Sequence, residues 1–273
     1  MLSTNIGKRF QKTKIVCTLG PATESEEMIE SLVREGMSVA RLNMSHGDLS
    51  THITTFGRVR RVSERFGVPI GIMVDVPGPK YRTGPTVPGV LEIRNDDALT
   101  LTSRDTIGNQ STISVFPPGI HRDAIVGGTI LLDDGLLRLK VESVNGDDVH
   151  CKVEVGGRVT ERRGVVTPGR SPSQPALDDH ARRCLAFAAE QGADFVALSM
   201  VNEDGDVRRA RDIVKKHGAN PLIISKIESV EALENFDSIL DASDGIMVAR
   251  GDMGVHVSLY RIPVIQKDLI AKC

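Results

Sequence analysis

A lysine and two carboxylates stand where two apolar runs of the sequence end. Lys226 and Glu228 follow Leu222–Ile224, and Asp252 follows Gly245–Val248. Side chains alternate along a strand, so Lys226 and Glu228 share one face of the first predicted strand. Buried ionised groups must be paired or hold a metal, although Lys226 could instead snorkel into water with Glu228 as a surface partner. The two carboxylates predict a site for a hard cation such as Mg²⁺, which shares its shell with a phosphorylated ligand.

More polar side chains follow the apolar runs near the beginning of the chain. Arg41, Asn43 and Ser45 alternate at the end of one predicted strand, Asp75 ends the next, and Thr18 lies near the end of the first. Positive groups suit anionic oxygens and carboxylates suit a cation, which is the mixture that phosphoryl transfer requires. The chain has no G-x-x-x-x-G-K-[ST] motif, which excludes a P-loop nucleotide site.

Each of these residues also has a purely structural interpretation. Arg41 could simply form an ion pair with Asp75, and Asn43 and Ser45 could cap the turn that follows them. The glycines on either side of Asp252 could punctuate a loop. Because at least six polar groups follow predicted strands, a shared site is the better explanation for the set.

Strands alternate with helices in two parts of the sequence, a pattern typical of βαβ units and a parallel sheet. The predicted strands are 14–19, 38–43, 69–75, 195–199, 222–228 and 245–250. The predicted helices are about 23–36, 50–66, 178–191, 204–217 and 262–272. We therefore predict an α/β fold of about six βα units, an incomplete version of the TIM-type (β/α) barrel, which needs eight. A doubly wound sheet is the alternative, but polar residues at several strand ends favour the barrel.

The segment between these two parts has a different pattern of apolar residues, with little helical period. Short alternating runs are separated by turn signals such as Asp134–Gly135 and Asn145–Gly146, which predict strands and hairpins. We predict that residues 84–168 form an inserted, all-β, barrel-like lid domain. Residues 1–83 and 169–273 then form the discontinuous (β/α) barrel domain.

Composition excludes several classes of protein. The net charge of −2 over 273 residues argues against a nucleic-acid or membrane-surface partner, and no run approaches the ~18 apolar residues of a membrane span. The four cysteines are widely spaced, so neither a zinc site nor a disulfide framework is indicated. Residues Met1–Lys14 lack the apolar core of a secretory signal. These features predict a cytoplasmic protein.

Five segments carry long motifs with little chance of arising at random. They are Lys14–Thr23, Ala40–Gly47, Gly78–Gly84, Ile224–Glu228 and Asp244–Gly254. They resemble the motifs of pyruvate kinases, and the likeness runs nearly from end to end. The resemblance implies a barrel with an inserted β lid and phosphoryl exchange between phosphoenolpyruvate and ADP, with pyruvate and ATP as products.

The resemblance also implies roles for the residues named first. Lys226 stabilises the transferring phosphoryl group and the enolate charge. Glu228 and Asp252 hold the divalent ion, either Mg²⁺ or Mn²⁺, since both suit such ligands. The amides of Gly251 and Asp252, at the start of a short helix, take the substrate carboxylate.

Four further residues are implied to contact substrate. Arg41 and Arg82 face phosphate, and Thr18 belongs to the substrate-binding set. Arg163 stands where the family usually has a lysine, and it could still meet the nucleotide phosphate with altered geometry.

A monovalent-ion site is implied but altered. Asn43, Ser45 and Asp75 match the family's potassium site, whereas Val76–Pro77 replaces the usual Thr-Lys. Lys80 stands where the family usually has Glu, and a fixed ammonium can replace the charge of the ion. We therefore predict that the protein does not require potassium.

The likeness stops at Cys273, after the sixth βα unit. The family's last two strands and its C-terminal regulatory domain have no counterpart in these 273 residues. Open sheet edges and exposed apolar lining invite association, so we predict a homo-oligomer or a complex with a chain that completes the barrel. The alternatives to a kinase are a barrel lyase or aldolase acting on a pyruvate-like enolate, and a non-catalytic phosphoenolpyruvate-binding subunit.

Overall fold

The first part of the chain alternates strands and helices, as its apolar periodicity predicts. The computed structural model describes residues 12–87, 91–170 and 172–273, so the expectation for the first eleven residues lies outside it. Ser25 and Asp48 each begin a helix by accepting a backbone amide with the side chain, which satisfies a donor that the helix leaves unpaired. The elements are β1 (Ile15–Leu19), α1 (Glu26–Arg34), β2 (Met37–Asn43), α2 (Leu49–Phe66) and β3 (Gly71–Val76).

The middle part is built mainly of short strands. Seven of them close into a barrel in the order β10-β6-β7-β4-β12-β8-β9, and β5 pairs with β11 in a separate ribbon. The helical turn α3 was not predicted, because four residues are too few to show a helical period. The elements are β4 (Tyr81–Thr83), β5 (Leu91–Ile93), β6 (Ala98–Thr102), β7 (Thr112–Phe116), α3 (Ile120–Asp123), β8 (Thr129–Leu132), β9 (Leu137–Asn145), β10 (Asp148–Val155), β11 (Gly157–Val159) and β12 (Gly164–Val166).

The last part returns to alternating helices and strands. The short helices α6 and α7 between the last two strands were not predicted, because, like α3, they have too few residues to show a helical period. The elements are α4 (Asp179–Gln191), β13 (Phe195–Leu198), α5 (Asp204–Lys216), β14 (Leu222–Ile227), α6 (Val230–Glu234), α7 (Phe236–Ala242), β15 (Gly245–Val248), α8 (Arg250–His256) and α9 (Ile262–Lys272).

Six strands form one parallel sheet in the order β1-β2-β3-β13-β14-β15, which is the order of the sequence. A doubly wound sheet reverses its strand order at a switch point, so this alternative is wrong. Register pairs Asp75 of β3 with Asn43 on one side and with Ala197 on the other. The carboxyl ends of the strands therefore meet at one edge of the sheet.

The two faces of the sheet carry different side chains. Ile72, Val74 and Val196 are fully buried in the large apolar cluster that includes residues of the helices. Met73 and Ala197, which alternate with them, belong to a small apolar cluster of their own. That second face bears the small cluster in mid-sheet and polar side chains at the strand ends.

Strand β14 follows the same alternation, with one departure from expectation. Ile223 and Ile227 are fully buried in the large cluster, while Ile224 packs against the small one. Leu222 is 47% exposed, so the predicted burial of this strand begins only after its first residue.

Within the described residues, no helix is both long and apolar enough to cross a bilayer.

Candidate active site

A cavity of about 510 Å³ lies at the carboxyl ends of the parallel strands, where residues of the inserted barrel also contribute to its wall. This volume is typical of a pocket for a small ligand. Three of the predicted site residues, Thr18, Arg163 and Gly251, do not line it. Those that do are Arg41, Asn43, Ser45, Asp75, Lys80, Arg82, Lys226, Glu228 and Asp252.

Lys226 is the buried cation of this cavity, with only 6% of its surface exposed. Its Nζ lies 2.9 Å from Glu228 Oε1 and 3.4 Å from Asp75 Oδ1, and it donates a 2.7 Å hydrogen bond to Ser199 Oγ. Burial lowers the pKa of Lys226, but Glu228 and Asp75 outweigh burial and hold the pKa above its ordinary value. The side chain is therefore a fixed ammonium, and the surface interpretation of this pair is wrong.

Glu228 and Asp75 are equally buried carboxylates of the cavity, each 2% exposed. Glu228 Oε2 accepts the backbone amide of Met200 at 2.7 Å, and Met200 itself adopts a left-handed φ of 54°. Oε1 accepts no hydrogen bond from the described residues, although the ammonium is close. Burial raises the pKa of Glu228, Lys226 opposes that rise and Asp252 adds to it. Oε1 thus has the Lys226 ammonium as an ion-pair partner and keeps room for a further positive partner.

Asp252 lies in the first turn of α8 and is partly exposed at the cavity wall. Its Oδ1 is 3.3 Å from the ammonium of Lys80, which is also 3.9 Å from Asp134 of the inserted barrel. Lys80 thus lies between a carboxylate of α8 and one of the insertion. It contacts the predicted divalent-ion ligand, while its contacts do not include the predicted potassium ligands.

The carboxylates fit a divalent ion that also binds substrate. Among the described residues there is no group of three or more His, Cys, Asp or Glu side chains placed to hold a metal. Glu228 and Asp252 bring carboxylate oxygens into one cavity, and Glu228 Oε1 meets the Lys226 ammonium but accepts no hydrogen bond from the described residues. Mg²⁺ characteristically uses one or two carboxylates and completes its shell with water and substrate phosphate.

Arg41 forms the ion pair that the structural interpretation anticipated. Its Nε and Nη2 contact Asp75 Oδ2 at 2.7 and 2.5 Å, and its Nη1 donates to Thr18 Oγ1 at 2.7 Å. Asp75 is also the acceptor of a 3.2 Å hydrogen bond from Ser199 Oγ. Arg41 still lines the cavity, whereas Thr18 contacts it through Arg41.

Asn43 and Ser45 also follow their structural interpretation. Asn43 Oδ1 accepts the backbone amide of Ser45 at 3.1 Å, which caps the turn after β2. Both residues line the cavity, so capping does not remove them from the site.

The arginines of the inserted barrel differ in position. Arg82 Nη1 donates to the carbonyl of Arg162 at 3.0 Å, and Arg82 lines the cavity. Arg163 pairs with Asp133 at 3.4 Å and donates to Thr160 Oγ1 at 2.7 Å. Of the two predicted phosphate contacts on this side, the structure brings Arg82 into the cavity and leaves Arg163 outside it.

Three polar residues among the unpredicted part of the cavity lining are Ser199, Arg170 and His256. Ser199 directly follows β13, so the rule that found the other strand-end residues would have found it. Arg170 ends the turn Thr167–Arg170, where Pro168 and a left-handed Gly169 fit a type II turn. His256, one helical turn after Asp252, has a buried Nδ1 with no partner among the described residues. The last two had no signal that could be read from local spacing.

Comparisons with known proteins agree with this arrangement. A family model described as the pyruvate kinase barrel domain matches residues 10–273. The chain is 42% identical over 267 residues to a pyruvate kinase of Bacillus licheniformis, covering 97% of this chain and 46% of that protein. It is 40% identical over 266 residues to one of Clostridium perfringens, covering 97% and 56%.

A third relative gives the same coverage pattern. A pyruvate kinase of Mycobacterium intracellulare is 41% identical over 260 residues, covering 95% of this chain and 55% of that protein. The chain thus spans about half the length of the curated relatives it matches. From the family match to the barrel domain and these identities, the chain belongs to the pyruvate kinase family.

Proposed function

We propose that this chain is a pyruvate kinase-type phosphotransferase that moves a phosphoryl group between phosphoenolpyruvate and ADP with a divalent metal. One observation carries the proposal most directly. The buried ammonium of Lys226 is fixed by Glu228, Asp75 and Ser199 in the cavity that Asp252 also lines. A preorganised cation of this kind costs no reorganisation when negative charge develops on a reacting oxygen.

The chemistry expected of the residues is positioning and charge neutralisation. Lys226 would neutralise charge on the transferring phosphoryl group and on the enolate oxygen that it leaves. Arg41 and Arg82 would bind phosphoryl oxygens from two sides, one from the sheet and one from the inserted barrel. Holding both reactants in line is the main contribution that a protein makes to this reaction.

Glu228 and Asp252 would hold the divalent ion, Mg²⁺ or Mn²⁺. When bound, the ion supplies positive charge to the enolate and carboxylate oxygens of the substrate. The amides of Gly251 and Asp252, in the first turn of α8, would take the substrate carboxylate. Thr18 is proposed as a substrate contact next to Arg41, and Arg163 as a contact for nucleotide phosphate.

The finer architecture is also a proposal. Residues 1–83 and 169–273 would form an incomplete (β/α) barrel of about six units, and residues 84–168 a lid. Six parallel strands in chain order and a separate closed barrel support this division. Because β4 (Tyr81–Thr83) pairs inside the closed barrel, the boundary at residue 84 stays a prediction. We propose a cytoplasmic location, since the cysteines are free and suit a reducing compartment.

A lyase that forms a Schiff base at Lys226 is the weaker alternative. A Schiff base requires a neutral amine, and the carboxylates around Lys226 hold its pKa above the ordinary value. Borohydride trapping with pyruvate would label Lys226 only in that alternative.

The direct test is phosphorylation of ADP by phosphoenolpyruvate with Mg²⁺, coupled to pyruvate detection. Lys226→Met should lower kcat by at least about 10²–10³-fold, the loss typical of one preorganised charge donor. Lys216→Met, at an exposed position on α5, is the matched control and should retain wild-type turnover. Equal turnover by the wild type and Lys226→Met would contradict the proposal. Binding without any turnover by the wild type would favour the non-catalytic subunit.

A further inference from the structure

The chain crosses twice between the parallel sheet and the inserted barrel. The first crossing leads from β3 into β4, and the second leads from β12 to α4. Tyr81 lies at the first crossing and Ser173 at the second. Asp123, the last residue of α3, lies within the insertion.

One carboxylate oxygen joins these two crossings. Tyr81 Oη donates a 2.6 Å hydrogen bond to Asp123 Oδ2, and the backbone amide of Ser173 donates to the same oxygen at 2.9 Å. Tyr81 is 1% exposed and Asp123 is 4% exposed. We call Tyr81, Asp123 and Ser173 the crossover node.

The crossover node contributes little to the free energy of folding, because it buries a carboxylate without a cation. Asp123 forms no ion pair with any described residue, so neutral donors hold its buried carboxylate. Burying a carboxylate without a cation costs more than filling the same space with apolar side chains. Burial and the hydrogen bond to Asp123 raise the pKa of Tyr81 to about 12, so its hydroxyl stays a donor throughout the neutral range. Geometry rather than stability is what this arrangement supplies.

Close packing around the node supports the same conclusion. Gly119 has a left-handed φ of 135°, and a Cβ there would lie 3.0 Å from Tyr81 Oη and 2.9 Å from Gln174 Nε2. Gln174 Nε2 donates to the carbonyl of Pro118 at 2.5 Å, which is a second bond between the insertion and the second crossing. The left-handed φ favours glycine at this position, and any other side chain would press against Tyr81 Oη.

The neighbours of Tyr81 connect the node to the cavity. Tyr81 lies in the cavity wall together with Lys80 and Arg82, which flank it. The strand β4 that carries Arg82 is only three residues long, so the ladder alone gives it few bonds. We propose that the crossover node sets where Lys80 and Arg82 stand in the cavity, which makes Tyr81 and Asp123 positioning residues. The effect on catalysis rests on the proposed function, whereas the effect on the strand does not.

Tyr81→Phe tests this with the loss of one oxygen atom and no loss of ring volume. Tyr260→Phe is the matched control, because Tyr260 is the other tyrosine of the chain and is exposed. Hydrogen–deuterium exchange should be about tenfold faster in Tyr81→Phe at residues 80–83 and 172–177, as expected for losing a bond to a charged group. Unchanged exchange in both segments would overturn the proposal.

Catalysis and anion binding test the second half. With phosphoenolpyruvate and ADP, Tyr81→Phe should lower kcat/KM several-fold, about tenfold at most, while Tyr260→Phe leaves it unchanged. Asp123→Asn keeps an acceptor oxygen, so its defect should be smaller, and the double variant should be no worse than Tyr81→Phe. A lower melting temperature with unchanged kcat/KM would show a structural role only and overturn the positioning claim.

The two proposals can fail separately. If the wild type shows no turnover, calorimetric titration with inorganic phosphate takes the place of kinetics, with Arg82→Ala as the reference for a lost cavity contact. Weaker phosphate binding by Tyr81→Phe would then support the node even though the kinase proposal fails. Phosphate binding that is equal in, or absent from, the wild type and Tyr81→Phe would contradict it.

Discussion

At the scale of residues, the charges of the cavity are arranged in balanced pairs. Lys226 and Arg41 face Asp75 and Glu228, so two cations meet two carboxylates. Removing one member of such a set leaves an uncompensated buried charge, which typically costs about 3–5 kcal/mol. Because these four charges balance one another, the negative charge of a substrate also needs positive groups outside this set, in addition to Lys226 and Arg41.

Those groups come from the inserted barrel and its connection. Lys80 is paired with Asp252, but Arg82 and Arg170 form no ion pair with any described residue while lining the cavity. Two unneutralised guanidinium groups suit an anionic ligand with several phosphate oxygens. The insertion and its connection therefore supply positive charge that has no ion-pair partner among the described residues. The cations of the sheet, in contrast, are paired with carboxylates of the same sheet.

The ammonium of Lys80 leads to a prediction about potassium. Wild-type activity should be the same in potassium and in a tetraalkylammonium salt, because a fixed cation already stands at this end of the cavity. Lys80→Glu should make activity depend on potassium, since it replaces that cation with a carboxylate. Lys216→Glu controls for the change of net charge. Strong activation of the wild type by potassium alone would contradict the prediction.

At the scale of elements, helix starts are encoded by single side chains. Asp48 begins α2, Asp178 begins α4 and Ser229 begins α6, each accepting an amide three residues further on. Asp48 and Ser229 follow the carboxyl ends of β2 and β14, and Asp178 lines the cavity itself. Local sequence thus decides where each βα connection ends and how long it can be.

The capping of α2 by Asp48 should depend on pH. Hydrogen bonds from Ser50 and Thr51 lower the pKa of Asp48 from 3.8 to about 2. A lowered carboxyl pKa stabilises the fold above pH 3.8, and this contribution is lost as the pH falls towards 2. Asp48→Ala should therefore melt below the wild type at neutral pH, and the difference should shrink between pH 4 and pH 2.

Asp48→Asn is the matched control for that comparison. Its amide oxygen can still cap α2 but has no charge to lose. The gap between Asp48→Asn and Asp48→Ala should stay nearly constant over the same range in thermal melts followed by circular dichroism. A gap between wild type and Asp48→Ala that also stays constant down to pH 2 would contradict the assigned pKa.

At the scale of the whole molecule, the parallel sheet has two edges. Among the described residues, β1 pairs only with β2 and β15 only with β14. Ile15 and Val16 on β1, and Val264 and Ile270 on α9, are exposed apolar side chains. Open edges beside apolar surface are strong sites for association.

We predict that these 273 residues associate through the open sheet edges, either with a second copy or with another partner that covers them. Light scattering should give a mass above that of one chain. Val16→Lys would place a charge on the open edge and should shift the mass towards that of the monomer. Ile107→Lys, at an exposed position in the insertion, is the control and should not change the mass. A monodisperse wild-type monomer that binds no hydrophobic dye would contradict this prediction.

Much of the fold could be predicted from local pattern. The six parallel strands and the five longer helices fall where the apolar periods place them, since these periods depend on neighbours within one turn or one strand. The short helices α3, α6 and α7 could not be predicted, because their few residues show no period. Their positions depend on packing against the rest of the chain.

The sequence by itself determined the family, the six parallel strands, the five longer helices and the charged residues at the strand ends that line the cavity, because a polar residue after an apolar strand is a local signal. Only the tertiary structure decided their partners: Arg41 on Asp75, Ser199 under Lys226, and Lys80 beside Asp252. Those contacts join residues tens to more than a hundred positions apart. Strand register and the path of the two crossings determine these contacts. Neither can be read from a short stretch of sequence, because each depends on how distant parts of the chain pack together.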